Sequence, residues 1–215
     1  SLPSRGLGDV YKRQLQYHEV KIVADFDLTA WNHDATTVTP TTSGLLVNYL
    51  YLDTDERRRF AQVSHEYLIE QVQHTGAETV ATNGSSVTLT FNHPVKALFW
   101  TKLGGAYTAK LQLNGHDRFS EQSDLYFTGV QPYECGLRHN HPSSTALGPA
   151  DHSGMYSFCL KPSEHQPSGT CNFSRIDNAR LVYSGTSCGG SVSIFAMNYN
   201  VLRIMSGMGG LAYSN

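Results

Sequence analysis

Histidines and cysteines are the residues of this chain best suited to chemistry, with ten of the first and four of the second. The densest group is His139-Asn140-His141, with Glu134 and His152 nearby in sequence. A mononuclear metal site needs three or four ligands on rigid elements, each oriented by an outer hydrogen bond. Here Pro142 follows the pair at once, no carboxylate stands three or four residues later, and the surroundings are Ser and Gly. His139 and His141 are therefore weak metal candidates, and no cofactor is expected. Nucleophilic chemistry would need a thiolate beside a base. Cys171 and His165 are the nearest such pair in sequence, but a Pro167-Ser168-Gly169 turn separates them. No phosphate-binding glycine loop, HExxH or GxSxG motif occurs, so the chain reads as a non-enzyme. Asn83-Gly84-Ser85 and Asn172-Phe173-Ser174 match the glycosylation acceptor pattern. That pattern is short, and Asn172 falls in an expected strand. Both asparagines read as ordinary polar residues, with modification a minor alternative.

The elements that carry these residues are mostly strands. Val20, Ile22, Ala24, Phe26 and Leu28 alternate with polar neighbours, and Leu45–Leu52 is a nearly continuous apolar run. Both are expected strands, the second covered on two faces. Asp53 stands three residues before Glu56, a capping-box spacing, so a helix is expected to start there and carry Arg57-Arg58-Arg59. Asp53, Asp55 and Glu56 neutralise that basic run, with Asp55–Arg59 and Glu56–Arg59 as expected pairs. Further strands are expected at Tyr67–Gln73, Val87–Phe91, Val95–Leu103, Ala109–Leu113, Tyr156–Leu160, Ala179–Tyr183 and Ser191–Met205. Asn114-Gly115 marks a tight hairpin. A short helix is expected within Ser120–Tyr133, capped by Ser120 or Ser123 and ended by Pro132. The fold class is all-β: an eight-stranded antiparallel jelly-roll sandwich with a short helical insertion. The strand count allows sandwich or barrel; the resemblance below selects the jelly roll.

Composition agrees with many turns and few helices. Charged residues are 16% of the chain and aromatics 11%, and the formal charge is −2. A DNA-coating chain would carry a basic face or tail, and no such run is present. No apolar run approaches the ~20 residues of a membrane helix. The cysteines, Cys135, Cys159, Cys171 and Cys188, lack CxxC spacing and read as reduced, mostly buried thiols.

Three longer blocks are more specific than any of these features. They are Tyr51–Gln71 (YLDTDERRRFAQVSHEYLIEQ), His165–Ala179 (HQPSGTCNFSRIDNA) and Asn198–Asn215 (NYNVLRIMSGMGGLAYSN). In this order they resemble signatures of the major capsid proteins of nucleocytoplasmic large DNA viruses. The resemblance implies two consecutive jelly rolls per chain, homotrimers of pseudo-hexagonal outline, and trimers tiling an icosahedral shell in a virion assembled in the host cytoplasm. By the same likeness, residues 15–52 are the closing strands of an incomplete first jelly roll. Residues 53–63 are a linker helix, and 64–215 a C-terminal jelly roll. Residues 1–14 read as a non-native leader. The implied partners are further copies of the chain and minor capsid proteins, with no direct nucleic acid and no membrane insertion. Arg175, Asp177 and Arg180, with Asn200, Arg203 and Tyr213 in the tail, are the expected assembly or structural residues. The competing reading is a carbohydrate-binding or cupin-like jelly roll outside any capsid.

Overall fold

The computed structural model describes residues 21–23, 46–48, 51–101, 103, 105–137, 153–186, 188–206 and 208–213. They belong to two compact units, Ser1–Tyr67 with Leu202–Ala212, and Leu68–Val201 with Tyr213–Asn215.

In the first unit, helix α1 spans Thr54–Gln62. The capping box forms as its spacing predicts, with the Asp53 side chain accepting from the Glu56 N–H and the Glu56 side chain from the Asp53 N–H (3.2 Å); Asp53 also accepts from the Thr54 N–H (2.7 Å). Glu56 is thereby used as a cap and not in the expected pair with Arg59. Asp55 faces Arg58 at 3.7 Å, replacing the expected Asp55–Arg59 pair. The Met208–Leu211 strand pairs antiparallel with Leu202–Met205, so the glycine-rich end is itself part of a hairpin. Of the segments expected as strands at 19–28 and 45–52, only residues 21–23, 46–48 and 51–52 are among the described residues. Residues 21–23, 46–48 and 51–52 have no strand structure, and Ile22, Val23, Leu46 and Tyr51 are largely exposed. Alternation makes a segment able to pair, but a strand exists only when a neighbouring strand takes up its backbone groups.

The remaining strands are β1 (His65–Val80), β2 (Ser86–Thr88), β3 (Pro94–Trp100), β4 (Thr108–Leu113), β5 (His116–Asp117) and β6 (Gln122–Ser123). They are followed by β7 (Gly154–Ser157), β8 (Cys171–Asn172), β9 (Ala179–Ser184), β10 (Gly190–Met205) and β11 (Met208–Leu211). One sheet has the order β1-β10-β3-β7 and the other β2-β9-β4-β5, four strands each, with β6, β8 and β11 off these paths. Chain neighbours β1, β2, β3 and β4 thus fall alternately in the two sheets, and β9 and β10 do the same. This is jelly-roll topology. β3 pairs antiparallel with β7, β8 and β10, β4 with β5, β6 and β9, β2 with β9, and β10 with β11.

Alternation explains the core. Ala179, Leu181 and Tyr183 are buried on β9 while Arg180 is exposed. On β10, Val192, Ile194 and Ala196 turn inward. Aromatic edges lock the interior. Trp100 meets Phe127 at 5.2 Å between centroids, Tyr107 meets Tyr183 at 5.6 Å, and Phe91 meets Phe173 at 6.1 Å. The Trp100 indole N–H donates to the Tyr107 hydroxyl at 2.8 Å.

The helical insertion and the end of β7 differ from the sequence expectation. The insertion runs through a π-helical turn, Tyr126–Val130, into the short helix α2, Gln131–Glu134. Neither Ser120 nor Ser123 caps it: Ser123 belongs to β6, and Leu125 starts the π turn without a side-chain cap. Pro132 opens α2 and does not end the helix, because the first turn has no use for its missing N–H. Finally, β7 stops at Ser157, leaving Leu160 78% exposed.

Candidate functional site

Two loops carry the residues singled out from the sequence, and each is fastened by a polar group the strands place beneath it. The first loop joins β8 to β9. The hairpin tip Asn114-Gly115 has φ of 50° and 81°, a left-handed pair that suits Asn and Gly. The Asn114 side-chain oxygen accepts from the Asp177 N–H (3.0 Å) and the Asn178 N–H (3.2 Å). The Asn114 N–H in turn donates to the Asn178 carbonyl at 2.7 Å. Arg180 lies opposite Thr88 on one side and Gln112 on the other, and its Nε donates to Asn178 Oδ1 at 3.0 Å. Asp177 and Arg180 are thus held at one end of the β2-β9-β4-β5 sheet. Arg175 ends the 3-10 turn Phe173–Arg175 just before them and is exposed.

The second loop, between β7 and β8, contains His165. It is held by Lys96, a residue the sequence reading passed over. The partner of Met197 is Ala97, but the partner of Asn198 is Val95, so Lys96 is the extra residue of a β-bulge. It is 1% exposed. Its Nζ meets Glu70 Oε1 at 2.6 Å, donates to the Glu164 carbonyl at 3.4 Å, and lies 5.3 Å from the centre of the Tyr199 ring. The Tyr199 hydroxyl donates to the His165 carbonyl at 3.5 Å, and His165 Nδ1 sits 3.4 Å from Glu70 Oε1. Burial, reinforced by Glu70 and Cys159, raises the Tyr199 phenol above its ordinary value. The one available signal was a lone cation inside the apolar run PVKALFW.

The tail is fastened by a buried amide. Asn200, 1% exposed, donates from Nδ2 to Gln71 Oε1 and to the Tyr213 carbonyl, both at 2.9 Å. Its Oδ1 accepts from the Val201 N–H (2.7 Å) and the Tyr213 N–H (3.3 Å). The neighbouring Gln73 joins Asn198 Oδ1 to the Asn92 backbone. Asn200 and Tyr213 therefore come together as one cluster. Arg203 does not join them and pairs with Glu66 at 2.6 Å.

Asn83 is exposed on a turn, whereas the Asn172 oxygen is occupied by the Ser174 N–H (3.1 Å). His139, His141 and His152 lie outside the described residues. Among the described residues, no group of three or more His, Cys, Asp or Glu could hold a metal ion. Glu134 accepts from Gln131 at 3.1 Å. Burial pushes the Cys171 thiol up, against thiolate formation, while His165 is turned to Glu70.

Two four-stranded antiparallel sheets joined in this order define a jelly-roll domain, the scaffold of many coat proteins and also of lectins and cupins. The model of the family described as large eukaryotic DNA virus major capsid protein matches residues 56–107 and 105–210, and the chain belongs to this family. It is 50% identical to a major capsid protein of Pyramimonas orientalis virus, over 94% of this chain and 56% of that one. It is 37% identical to a major capsid protein of Paramecium bursaria Chlorella virus 1, over 94% and 62%. Among solved structures, it matches the PBCV-1 virus capsid with a TM-score of 0.66 at 36% identity, covering 78% of this chain and 56% of the other. The chain thus spans somewhat over half the length of these relatives.

Proposed function

We propose that this chain is part of a virion coat subunit, a building block selected for shape and self-association with no reaction to perform. The observation that carries the reading is half-identity to a major capsid protein along nearly the whole chain. The jelly-roll strand order supports it, since a rigid sandwich can hold loops and edges at fixed angles for symmetric contacts. In this reading residues 15–52 close a first jelly roll, 53–63 link, and 64–215 form the second. Three subunits associate into a pseudo-hexagonal capsomer, and capsomers tile an icosahedral shell in the cytoplasm of an infected cell, joined by minor capsid proteins. Arg175, Asp177 and Arg180, at the fastened end of one sheet, supply contacts between subunits or within the domain. Asn200 and Tyr213 hold the tail. Asn83, exposed on its turn, suits glycosylation better than Asn172.

Light scattering on the full-length product tests the reading. A mass of three subunits is expected, and a strict monomer under every assembly condition would overturn it.

A further inference from the structure

Two Asn-Gly dipeptides occur in this chain, Asn83-Gly84 and Asn114-Gly115, and each lies at a turn. Such a pair carries an intrinsic chemistry. The glycine main-chain nitrogen, once deprotonated, can attack the amide carbon of the asparagine before it, and glycine has no side chain to hinder the approach. The fold treats the two pairs differently. At Asn83 the nucleophile is engaged: the Gly84 N–H donates to the Ala81 carbonyl at 2.9 Å. A side chain at Gly84 would collide with the Tyr183 carbonyl, so this turn is pinned against β9.

At Asn114 the arrangement is reversed. The Gly115 N–H, at the tip of the turn between Leu113 and His116, has no hydrogen-bond acceptor among the described residues. Nothing packs where a Gly115 side chain would stand. It is the electrophile that is engaged here. Asn114 Oδ1 accepts from the Asp177 N–H at 3.0 Å and from the Asn178 N–H at 3.2 Å. Two main-chain donors on one carbonyl oxygen draw charge from its carbon, and they are placed to hold the oxyanion of a tetrahedral intermediate.

We propose that Asn114 is a self-modification site, deamidated through attack by the Gly115 nitrogen with water as the co-reactant. Hydroxide takes the Gly115 proton, the N–Cγ bond forms, and the carbonyl electron pair moves onto Oδ1, where the Asp177 and Asn178 N–H groups hold it. The oxyanion collapses and the Cγ–Nδ2 bond breaks. The nitrogen leaves as ammonia with a proton from water, which restores the hydroxide. Water then opens the cyclic imide at either carbonyl, giving aspartate or isoaspartate. In sum, one amide and one water become one carboxylic acid and one ammonia, with nothing oxidised or reduced. The isoaspartyl product lengthens the main chain by a methylene inside the tight turn. That shifts the acceptor away from the loop before β9, the loop that carries Arg175 and Asp177. The inference stands apart from the coat reading, since it concerns a turn and a loop of one domain.

The test incubates the full chain at mildly alkaline pH and follows both Asn-Gly peptides by mass mapping, with isoaspartate identified by fragmentation. Asn83 is the comparator within the same molecule. In the folded chain Asn114 is expected to convert about tenfold faster than Asn83, since one site has a held oxyanion and a free nucleophile and the other has neither. In concentrated urea the two rates should become equal, because only the fold distinguishes the pairs. An Asn114→Gln chain should lose the conversion at position 114 and keep that at Asn83. Asn114 left unmodified, an Asn83 rate equal to or above that of Asn114 in the folded chain, or a preference that persists in urea would each overturn the proposal.

Discussion

Tyr183 shows how a single atom can work against the fold. It is 2% exposed in the centre of the core, and its hydroxyl has no hydrogen-bond partner among the described residues. A buried unpaired hydroxyl carries a desolvation cost of about 1–3 kcal/mol. Tyr183→Phe is expected to raise stability by about 1 kcal/mol, read from the midpoint of chemical denaturation. Tyr107 is different, because its hydroxyl accepts from Trp100. Burial pushes its phenol up to about 12, and that of Tyr183 well above the usual value. Between pH 10 and 12 the unfolded chain has lost the Tyr107 proton and the folded chain retains it. Stability contributed below pH 10 is therefore lost as pH rises through this window, by about 1.4 kcal/mol per pH unit for Tyr107 alone. Urea midpoints at pH 9, 10 and 11 check the sign; a flat profile would contradict it. Lys96 makes the opposite case to Tyr183. Its ammonium is buried but fully engaged, and Lys96→Ala would leave Glu70 without its closest cation. Removing one partner of a buried pair costs about 3–5 kcal/mol, and the 26% exposure of the Glu70 side chain puts the expected loss at the lower end, about 3 kcal/mol.

At the scale of elements, irregularities do more positioning than the regular strands. The bulge in β3 turns a lysine onto the loop before β8, and the Asn114-Gly115 hairpin places an acceptor under two N–H groups of the loop before β9. Asn114 has a backbone role and a side-chain role, which substitution separates. Asn114→Gly keeps the left-handed turn and loses the acceptor; Asn114→Ala loses both. The expected costs are about 1 and 2 kcal/mol respectively, from denaturation curves. Equal costs would show that the left-handed backbone role contributes nothing, and an Asn114→Gly chain as stable as wild type that the side-chain clamp contributes nothing. The Asn-Gly signal announced the turn, while the loop it holds lies more than sixty residues later in the chain and is invisible to any local pattern.

At the scale of the whole molecule, the proposed coat role predicts that surface changes alter association before they alter folding. Arg175 is exposed at the end of its 3-10 turn. Arg175→Glu in the full-length product is expected to leave the denaturation midpoint within about 0.5 kcal/mol of wild type. Its trimer should dissociate at a higher protein concentration, measured by sedimentation. A variant with unchanged trimer and unchanged folding would remove Arg175 from the interface.

The all-β class, the capped helix at Thr54, the Asn-Gly hairpin and the inward faces of β9 and β10 were legible in the sequence. Each follows from neighbours a few residues apart, through alternation, capping or turn chemistry. The family was legible too, carried by blocks such as His165–Ala179. Of the segments expected as strands at 19–28 and 45–52, the described residues 21–23, 46–48 and 51–52 join no ladder and the rest lie outside the described residues; alternation describes a face and says nothing of whether a partner strand is present. Only the tertiary structure decided which sheet each strand joins, that Lys96 is buried on a bulge, and that Asn200 grips Tyr213. Those outcomes depend on which backbone groups and charges meet across long separations, and desolvation makes every such meeting either satisfied or costly.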